Sequence, residues 1–238
     1  MRRREANKDD NKGTISISGA FALYPLTVSW ADEFQKLHPG IRIDISAGGA
    51  GKGMADALSG MVDLGMFSRG ISPEEKSKGC WWIAVAKDAV LPTVNDQNPW
   101  LDQLKRNGVS KKTFEEIYLK DEKWEWSSLV NTGDKQKLNI YTRSDACGAA
   151  QMWGEFLGND QESLKGIGVF GDPGMADAVK RDRFGVGYNN VIYVYDLKTR
   201  ECYDGLDVIP INLNENELSM RMKISILIDH IMEAIGNQ

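Results

Sequence analysis

The first seventy residues alternate between the hydrophobic pattern of a strand and that of a helix. Residues 14–18, 41–46 and 62–67 are short runs in which β-branched and apolar residues have the spacing of strands. Between them, residues 24–37 place apolar side chains at helical spacing, and a second short helix is predicted to follow the glycine-rich segment 48–53. A strand–helix–strand–helix–strand order is typical of a parallel α/β sheet. We expect the third strand to be central, because its run is the most apolar.

The pattern of the remaining chain changes twice, near residue 87 and near residue 190. Residues 81–86 predict one more buried strand, and a loop-rich stretch follows it. The first helix carries one apolar face, formed by Leu26, Trp30, Phe34 and Leu37. The other predicted elements are helices at 101–107, 111–119, 149–157, 175–182 and 220–235, and strands at 138–142, 184–194 and 208–211.

These changes suggest a chain that leaves one α/β unit, builds a second and returns to the first. We therefore predict two lobes, the first made of residues 14–86 plus 190–238 and the second of residues 87–189, preceded by a disordered polar tail at 1–13. Two lobes joined by crossing segments form a cleft, and clefts between lobes are favoured ligand sites.

Composition excludes several classes of function. The 238 residues carry a net charge of −5, which argues against a general nucleic-acid-binding protein. No run of about 18 apolar residues is present, so no membrane span is expected. The two histidines, His38 and His230, are far apart, and Cys80, Cys147 and Cys202 form no C-x-x-C pair, so we expect no metal site and no cofactor.

The segment 1–13 (MRRREANKDDNKG) has two interpretations. Its arginines resemble the start of a signal peptide, but no apolar run follows them. It is either a frayed polar tail or a tether that remains after a signal segment has been removed.

Three turns between a predicted strand and a predicted helix are candidate ligand sites, at residues 19–25, 48–53 and 143–149. In parallel sheets ligands gather at the carboxyl ends of strands, and a helix start offers free N–H groups and a positive dipole end. All three turns therefore suit an anion.

The second turn resembles a nucleotide-binding loop but does not match one. Ser46 stands where a P-loop needs its first glycine, and Gly53 stands where it needs a serine or threonine. The dinucleotide fingerprint also fails, because Met54 is not glycine. The turn is then either a tight connection without a ligand or a place where the backbone approaches another group closely.

The third turn combines Arg143, Asp145 and Cys147. Arg143 and Asp145 either pair with each other on the surface, or Asp145 orients the planar guanidinium of Arg143 toward an oxyanion. A thiol at a helix start can have a lowered pKa, but no histidine lies near it in sequence, so we expect no catalytic cysteine and no enzyme.

Five segments together resemble the phosphate-binding subunits of bacterial phosphate ABC transporters. They are residues 17–34 (ISGAFALYPLTVSWADEF), 45–54 (ISAGGAGKGM), 62–72 (VDLGMFSRGIS), 141–153 (YTRSDACGAAQMW) and 184–191 (FGVGYNNV). The resemblance implies a two-lobed α/β periplasmic-binding-protein fold of type II (Venus flytrap), with a central, mostly parallel sheet in each lobe. It also implies an extracytoplasmic, lipid-anchored protein whose partners are phosphate or another small anion and a membrane permease.

The resemblance implies that backbone amides, hydroxyl groups and one arginine hold the anion. Carried onto this chain, the ligand-binding set is Phe21, Ala22, Ala50, Gly51, Ser68, Arg143, Asp145, Cys147, Gly148 and Ala149.

This chain lacks several of the family's hydroxyl groups. The first turn has Phe21 and Ala22 where the family usually has Ser or Thr, and the glycine turn has Ala50 for Ser. The third turn reads Ala, Cys and Ala at positions 146, 147 and 149, where the family usually reads Gly, Ser and Thr. A hydrogen bond to a charged group contributes about 1.5–3 kcal/mol, whereas micromolar binding totals about 8 kcal/mol. We therefore expect weakened or altered binding of phosphate, and the alternative is a degenerate module for surface interaction or sensing.

The sequence also stops short of the family's usual end, where a further strand and a closing helix follow. We expect such an uncovered surface to favour a partner or self-association.

Overall fold

The computed structural model describes residues 12–196 and 198–212 of the chain. The chain divides into two compact units, Met1–Trp81 and Trp82–Gln238. The predicted tail at 1–13, for the most part, and the predicted helix at 220–235 lie outside the described residues.

The first unit is a small parallel α/β layer. Its elements in chain order are β1 (Gly13–Gly19), α1 (Tyr24–Leu37), β2 (Ile41–Ala47), α2 (Ala50–Leu58), β3 (Leu64–Met66) and α3 (Pro73–Ser77), with a 3-10 turn at Phe21–Leu23. Both β2 and β3 run parallel to β1, which lies between them. The predicted order of elements is therefore confirmed.

The predicted central place of the third strand is wrong. β3 is only three residues long and pairs with β1 alone among the described strands, and Leu64 is 54% exposed. β1 takes the central position because it pairs over seven residues with β2 and over three with β3. The position of a strand in the sheet depends on which strands it pairs with, and its apolar content does not reveal those partners.

The first helix turns small residues toward the protein. Thr27 and Ala31 are buried, whereas Trp30, Phe34 and Leu37 of the predicted apolar face are exposed. Small side chains let a helix approach a neighbouring strand closely. The buried face of α1 is therefore not the apolar face that the sequence predicts.

The predicted buried strand at 81–86 is also wrong. No strand is formed there in the described chain, and Trp81, Trp82, Ile83 and Val85 are 48–80% exposed. An apolar run becomes a strand only when a partner strand supplies its hydrogen bonds, and no described strand pairs with this run.

The second unit contains a five-stranded sheet in the order β7-β6-β8-β4-β9. β6 runs parallel to β7 and β8, and β4 runs antiparallel to β8 and β9. A short parallel pair, β5 with β10, lies beside it. The strands are β4 (Val90–Val94), β5 (Val109–Ser110), β6 (Asn139–Arg143), β7 (Ile167–Val169), β8 (Gly185–Asn190), β9 (Asp207–Val208) and β10 (Ile211–Asn212). The helices are α4 (Leu101–Asn107), α5 (Lys111–Leu119), α6 (Gly148–Phe156) and α7 (Gly171–Arg181).

An aromatic cluster fills the core of the second unit. Trp153 of α6 stacks on Tyr188 of β8 with ring centroids 5.6 Å apart, and it meets Phe114 of α5 edge to face at 5.2 Å. All three rings are fully or almost fully buried. This cluster fixes α6, and with it the third turn, against the sheet.

The predicted lobe boundaries stay a prediction. The described part of the returning segment, residues 190–212, contributes β9 and β10, which pair with β4 and β5. No helix in the described ranges is long and apolar enough to cross a membrane.

Candidate functional site

The third turn connects β6 to α6 and places Arg143 at the end of its strand. The Nε and Nη2 atoms of Arg143 donate to the two carboxylate oxygens of Asp145, at 2.9 and 2.6 Å. The side chain of Arg143 is only 1% exposed and that of Asp145 is 11% exposed. Of the two alternatives, a surface pair is excluded, because the pair is buried.

A second carboxylate, which the sequence did not predict, lies on the other side of Arg143. The Oδ1 atom of Asp172, in the first turn of α7, lies 2.9 Å from Nη1 of Arg143, and its side chain is 4% exposed. The two atoms attract as opposite charges but lack the alignment of a hydrogen bond. In the sequence, the only sign of this residue is a carboxylate directly after Gly171. That local pattern does not predict a contact with Arg143.

Backbone and side chain hold this arrangement together. The amide of Gly171 donates to Oδ1 of Asp145 at 3.0 Å, which ties the start of α7 to the third turn. On β8, the hydroxyl of Tyr188 accepts the amide of Arg143 at 3.1 Å and pairs with the hydroxyl of Thr142 at 3.0 Å. The end of β6 is therefore fixed on both sides.

The pKa values reflect how this cluster is buried. Burial alone would lower the pKa of Arg143, but its hydrogen bonds to Asp145 and the charge of Asp172 outweigh this effect and raise the pKa. Burial raises the pKa of Asp172, although the charge of Arg143 opposes the shift. The guanidinium therefore stays charged, and burial works against the ionised form of Asp172.

Asp88 and Asn190 extend the cluster at the same end of the sheet. Nδ2 of Asn190, at the end of β8, donates to a carboxylate oxygen of Asp88, just before β4. Asp88 keeps an exposed surface, but the atoms packed around its carboxylate remove part of the surrounding water. This desolvation raises the pKa of Asp88 to about 6, and the charge of Asp172 adds to the shift. The Oδ1 atom of Asn190 is buried without a hydrogen-bond partner among the described residues.

Cys147 caps α6, and its thiol is buried. Its sulfur accepts the amide of Ala150 at 3.4 Å, and the residue is 3% exposed. Burial raises the pKa of this thiol to about 11. The effect of the lost water on the pKa is therefore larger than the lowering that the start of a helix causes. Gly148 and Ala149 follow it as the first residues of the helix, both buried.

The first two turns meet within the first unit. The amides of Gly48 and Gly49 both donate to the carbonyl of Gly19, at 2.9 and 3.1 Å. Phe21 and Ala22 lie in the 3-10 turn after β1, and Ala50 and Gly51 begin α2. The structure thus brings these four predicted residues to one end of the small sheet, and the half-buried Ser68 follows β3 by two residues.

The close approach expected at the glycine turn is to the protein's own backbone. A Cβ atom at Gly53 would lie 2.7 Å from Cα of Gly19 and 2.5 Å from the carbonyl oxygen of Met66. Lys52, the residue that a P-loop would place on phosphate, pairs with Asp56 within α2. The glycine turn is therefore explained by packing of α2 on β1 and β3.

The structure shows no cluster of potential metal ligands within residues 12–196 and 198–212.

Comparisons with known proteins give one family and a consistent set of relatives. A family model described as a PBP superfamily domain matches residues 5–238. The protein SphX of Synechococcus elongatus is 24% identical over 197 residues, which cover 79% of this chain and 57% of that protein. The phosphate-binding protein PstS of Xylella fastidiosa (strain Temecula1) is 26% identical over 212 residues, which cover 81% of this chain and 57% of that protein. The chain thus spans somewhat more than half the length of these relatives.

A solved structure from Clostridium perfringens, described as a phosphate ABC transporter substrate-binding protein with bound phosphate, superposes with a TM-score of 0.71. It is 20% identical, and the match covers 88% of this chain and 82% of that chain. At this identity the likeness establishes a shared fold.

Proposed function

The chain belongs to the PBP superfamily, and from that premise we propose that it is the solute-binding component of a phosphate-type ABC transporter, with phosphate or a related oxyanion as its ligand. The named relatives SphX and PstS support this assignment. The observation that carries the proposal is the placement of Arg143 at the end of β6, in the turn that leads to the start of α6 at Gly148.

This placement suits an anion for electrostatic reasons. Helix starts present amide groups and a positive dipole end, and Arg143 adds a permanent positive charge beside the start of α6. Its Nη1 atom has no aligned hydrogen bond among the described residues. An oxyanion at the third turn would use Nη1 together with the amides at Gly148 and Ala149. It would compete with Oε1 of Gln161, 3.3 Å away, for the amide of Cys147.

We propose that binding of phosphate is weaker than in relatives that carry hydroxyl groups at the third turn. Positions 146, 147 and 149 are Ala, Cys and Ala, and the sulfur of Cys147 is already used by the amide of Ala150. Asp172 further neutralises Arg143. Each missing hydrogen bond to a charged ligand removes about 1.5–3 kcal/mol.

The contacts predicted in the first unit are part of the same proposal. Phe21, Ala22, Ala50 and Gly51 supply backbone amides, and Ser68 supplies a hydroxyl. Closure of two lobes around the ligand, which the family resemblance implies, stays a prediction.

We infer that the protein works outside the cytoplasm, with a membrane permease as its partner and a lipid anchor in the full-length form. We also propose that it is not an enzyme, because its buried thiol has a pKa of about 11 and Arg143 is held between two carboxylates.

Isothermal titration of the dialysed protein with phosphate, and with sulfate for comparison, tests the proposal. We expect saturable binding of phosphate with a dissociation constant weaker than about 1 µM. Arg143→Lys keeps the charge but removes the planar fork, so it should weaken binding further, whereas Arg181→Lys on the exposed face of α7 should not. Absence of saturable binding of either anion contradicts the proposed ligand class. Submicromolar binding of phosphate contradicts the proposal that its binding is weakened.

A module for sensing or surface interaction is the second candidate. The observation that favours it is Asp172, whose carboxylate lies 2.9 Å from Nη1, the one guanidinium nitrogen of Arg143 that does not donate to Asp145. If the chain serves in this way, phosphate will not change its tryptophan fluorescence at any concentration tested.

A further inference from the structure

A cavity of about 200 Å³ lies in the second unit, at the amino ends of β6 and β7. Its walls come from the end of α5, from the loop that carries Trp124, from residues 137–140 and from residues 165–167. Arg143 stands at the carboxyl end of β6, so the cavity is separate from the proposed oxyanion site. This volume equals that of roughly six or seven water molecules and is smaller than the sites of drug-sized ligands, so the cavity suits a small molecule.

Main-chain contacts hold the walls of this cavity in place. The amide of Leu138 donates to the carbonyl of Trp124 at 2.9 Å, and the amide of Lys165 donates to the carbonyl of Tyr118 at 2.7 Å. Gly166 has a φ of +132°, and a Cβ atom there would lie 2.6 Å from a carbonyl oxygen of β6, so the chain enters β7 close against β6. The cavity therefore exists before a ligand arrives, and a preformed site lowers the cost of binding.

The cavity is rich in positive charge, although the whole chain has a net charge of −5. The lysines that line it are Lys120, Lys123, Lys137 and Lys165. Within the described residues, only Lys120 forms an ion pair, with Glu116 at 4.0 Å. The other three ammonium groups have no carboxylate partner in this part of the chain.

Two carboxylates, those of Asp121 and Glu122, stand in the same lining. Four ammonium groups against two carboxylates leave an excess of two positive charges. A recessed site in which one sign of charge prevails attracts ions of the opposite sign. The charge pattern of the cavity therefore favours an anion.

The remaining walls are largely apolar. Trp124 is half-buried and Ile167 is 48% exposed, whereas Ile117, Leu138 and Ile140 are buried. The Nε1 atom of Trp124 is buried without a hydrogen-bond acceptor among the described residues, which is unfavourable for a donor. An apolar surface beside unpaired ammonium groups matches a ligand that has both an apolar body and an anionic group.

From this combination we propose that the cavity is a second ligand site and that it binds a small organic carboxylate with an apolar body. The carboxylate lies among the ammonium groups of Lys123, Lys137 and Lys165, and the apolar body contacts Trp124 and Ile167. A bare inorganic anion would leave the apolar wall unused, and a neutral apolar molecule would leave the ammonium groups without a counter-charge. The proposal goes beyond the proposed function and does not depend on it.

Three ligands of similar shape and different charge test this inference on the unchanged full chain. Isothermal titration at pH 7 compares benzoate with the neutral benzamide and the cationic benzylammonium. We expect benzoate to bind saturably with a dissociation constant below about 1 mM, benzamide to bind about tenfold more weakly or worse, and benzylammonium not to bind. Equal affinities for benzoate and benzamide, or no saturable binding of benzoate, overturn the inference.

Two pairs of substitutions then test the role of the lysines. Lys137→Gln combined with Lys165→Gln should weaken benzoate binding about fivefold or more and leave benzamide unchanged. Lys112→Gln combined with Lys135→Gln removes the same number of charges from exposed positions outside the cavity, so it should leave both affinities unchanged. Equal weakening of benzoate by the two pairs would mean a general attraction to the protein's charge and would overturn the site. Thermal unfolding establishes that each variant is folded.

Nuclear magnetic resonance and competition with phosphate locate the bound benzoate. The indole N–H signal of Trp124, assigned through Trp124→Phe, should move as benzoate is added, whereas that of Trp153, which does not line the cavity, should stay. An unmoved Trp124 signal overturns the inference. Saturating phosphate should not displace benzoate.

These outcomes separate the inference from the proposed function. Displacement of benzoate by phosphate places the carboxylate in the oxyanion site, which overturns the second site and leaves the proposed function standing. Binding of benzoate without any binding of phosphate supports the second site and contradicts the proposed function.

Discussion

Nη1 of Arg143 lies 2.9 Å from Oδ1 of Asp172, and both side chains are almost completely buried. Asp145 holds the opposite edge of the same guanidinium with two hydrogen bonds. The arginine thus carries a structural task as well as the proposed task of meeting an anion.

Removal of the guanidinium should destabilise the second unit strongly. Arg143→Met leaves two buried carboxylates without a counter-charge, so we expect the free energy of unfolding to fall by about 3–5 kcal/mol. Denaturant titration measures it. Arg181→Met removes an exposed pair with Asp177 and should change stability by no more than about 1 kcal/mol. A similar loss of unfolding free energy in both variants would show that the buried cluster stabilises the protein no more than an exposed ion pair does.

The hydroxyl of Tyr188 should matter for the position of Arg143. Tyr188→Phe leaves the amide of Arg143 and the hydroxyl of Thr142 without this partner, and we expect a loss of about 1–3 kcal/mol. Comparison with Thr142→Val and with the double variant gives the coupling energy. Strictly additive losses would mean that the two hydroxyls do not act together.

Cys147 should be unreactive in the folded protein at neutral pH. Its thiol is buried with a pKa of about 11, so little thiolate is present at pH 7. In a variant with Cys80→Ser and Cys202→Ser, a thiol reagent should modify Cys147 only after denaturant is added. Rapid modification without denaturant would contradict both the burial and the direction of the pKa shift.

Alanine at two neighbouring glycines should have opposite effects on the first unit. Gly53→Ala places a Cβ atom against the backbone of Gly19 and Met66, so we expect a loss of about 1–3 kcal/mol or more. Gly51→Ala meets no atom within 4 Å and lies in α2, so it should stabilise by up to about 1 kcal/mol. Thermal unfolding of the two variants checks the contrast, and a harmless Gly53→Ala would refute the close packing of α2.

Stability should depend on Glu75 at acid pH. The side-chain hydrogen bonds from Arg69, at 2.7 and 3.1 Å, hold the pKa of Glu75 at about 2, below its ordinary value of 4.5. The native state therefore favours the ionised form, so this stability is complete above about pH 4.5 and is lost as the pH falls through 2.

Thermal unfolding between pH 5 and pH 2 measures this dependence. The unchanged protein should lose more stability over this range than Glu75→Gln. Glu74→Gln, whose partner Lys78 is exposed, should behave nearly like the unchanged protein. If stability falls equally with pH in the unchanged protein and in Glu75→Gln, the ion pair of Glu75 with Arg69 is not the cause of the pH dependence.

Local patterns predicted most elements correctly, and they failed where a partner decided the outcome. The segments at 41–46 and 101–107 became a strand and a helix at nearly the predicted bounds. The run at 81–86 has the same apolar character as a buried strand, but without a paired strand among the described residues it forms none. Hydrophobic content indicates what a segment can bury, and pairing decides whether it does.

The candidate site divides in the same way. The sequence by itself determined that Arg143, Asp145 and Cys147 stand between a strand and a helix, because strand and helix periods and turn residues are local properties of the chain. Only the tertiary structure decided that Asp172 completes the ion pair and that Asp88 and Asn190 lie at the same end of the sheet. The reason is that β7 lies beside β6, which brings the start of α7 next to the end of β6, whereas β4 lies antiparallel to β8 and places its beginning at the end of β8. Such contacts depend on which strands are neighbours and in which direction they run, and no local pattern contains that information.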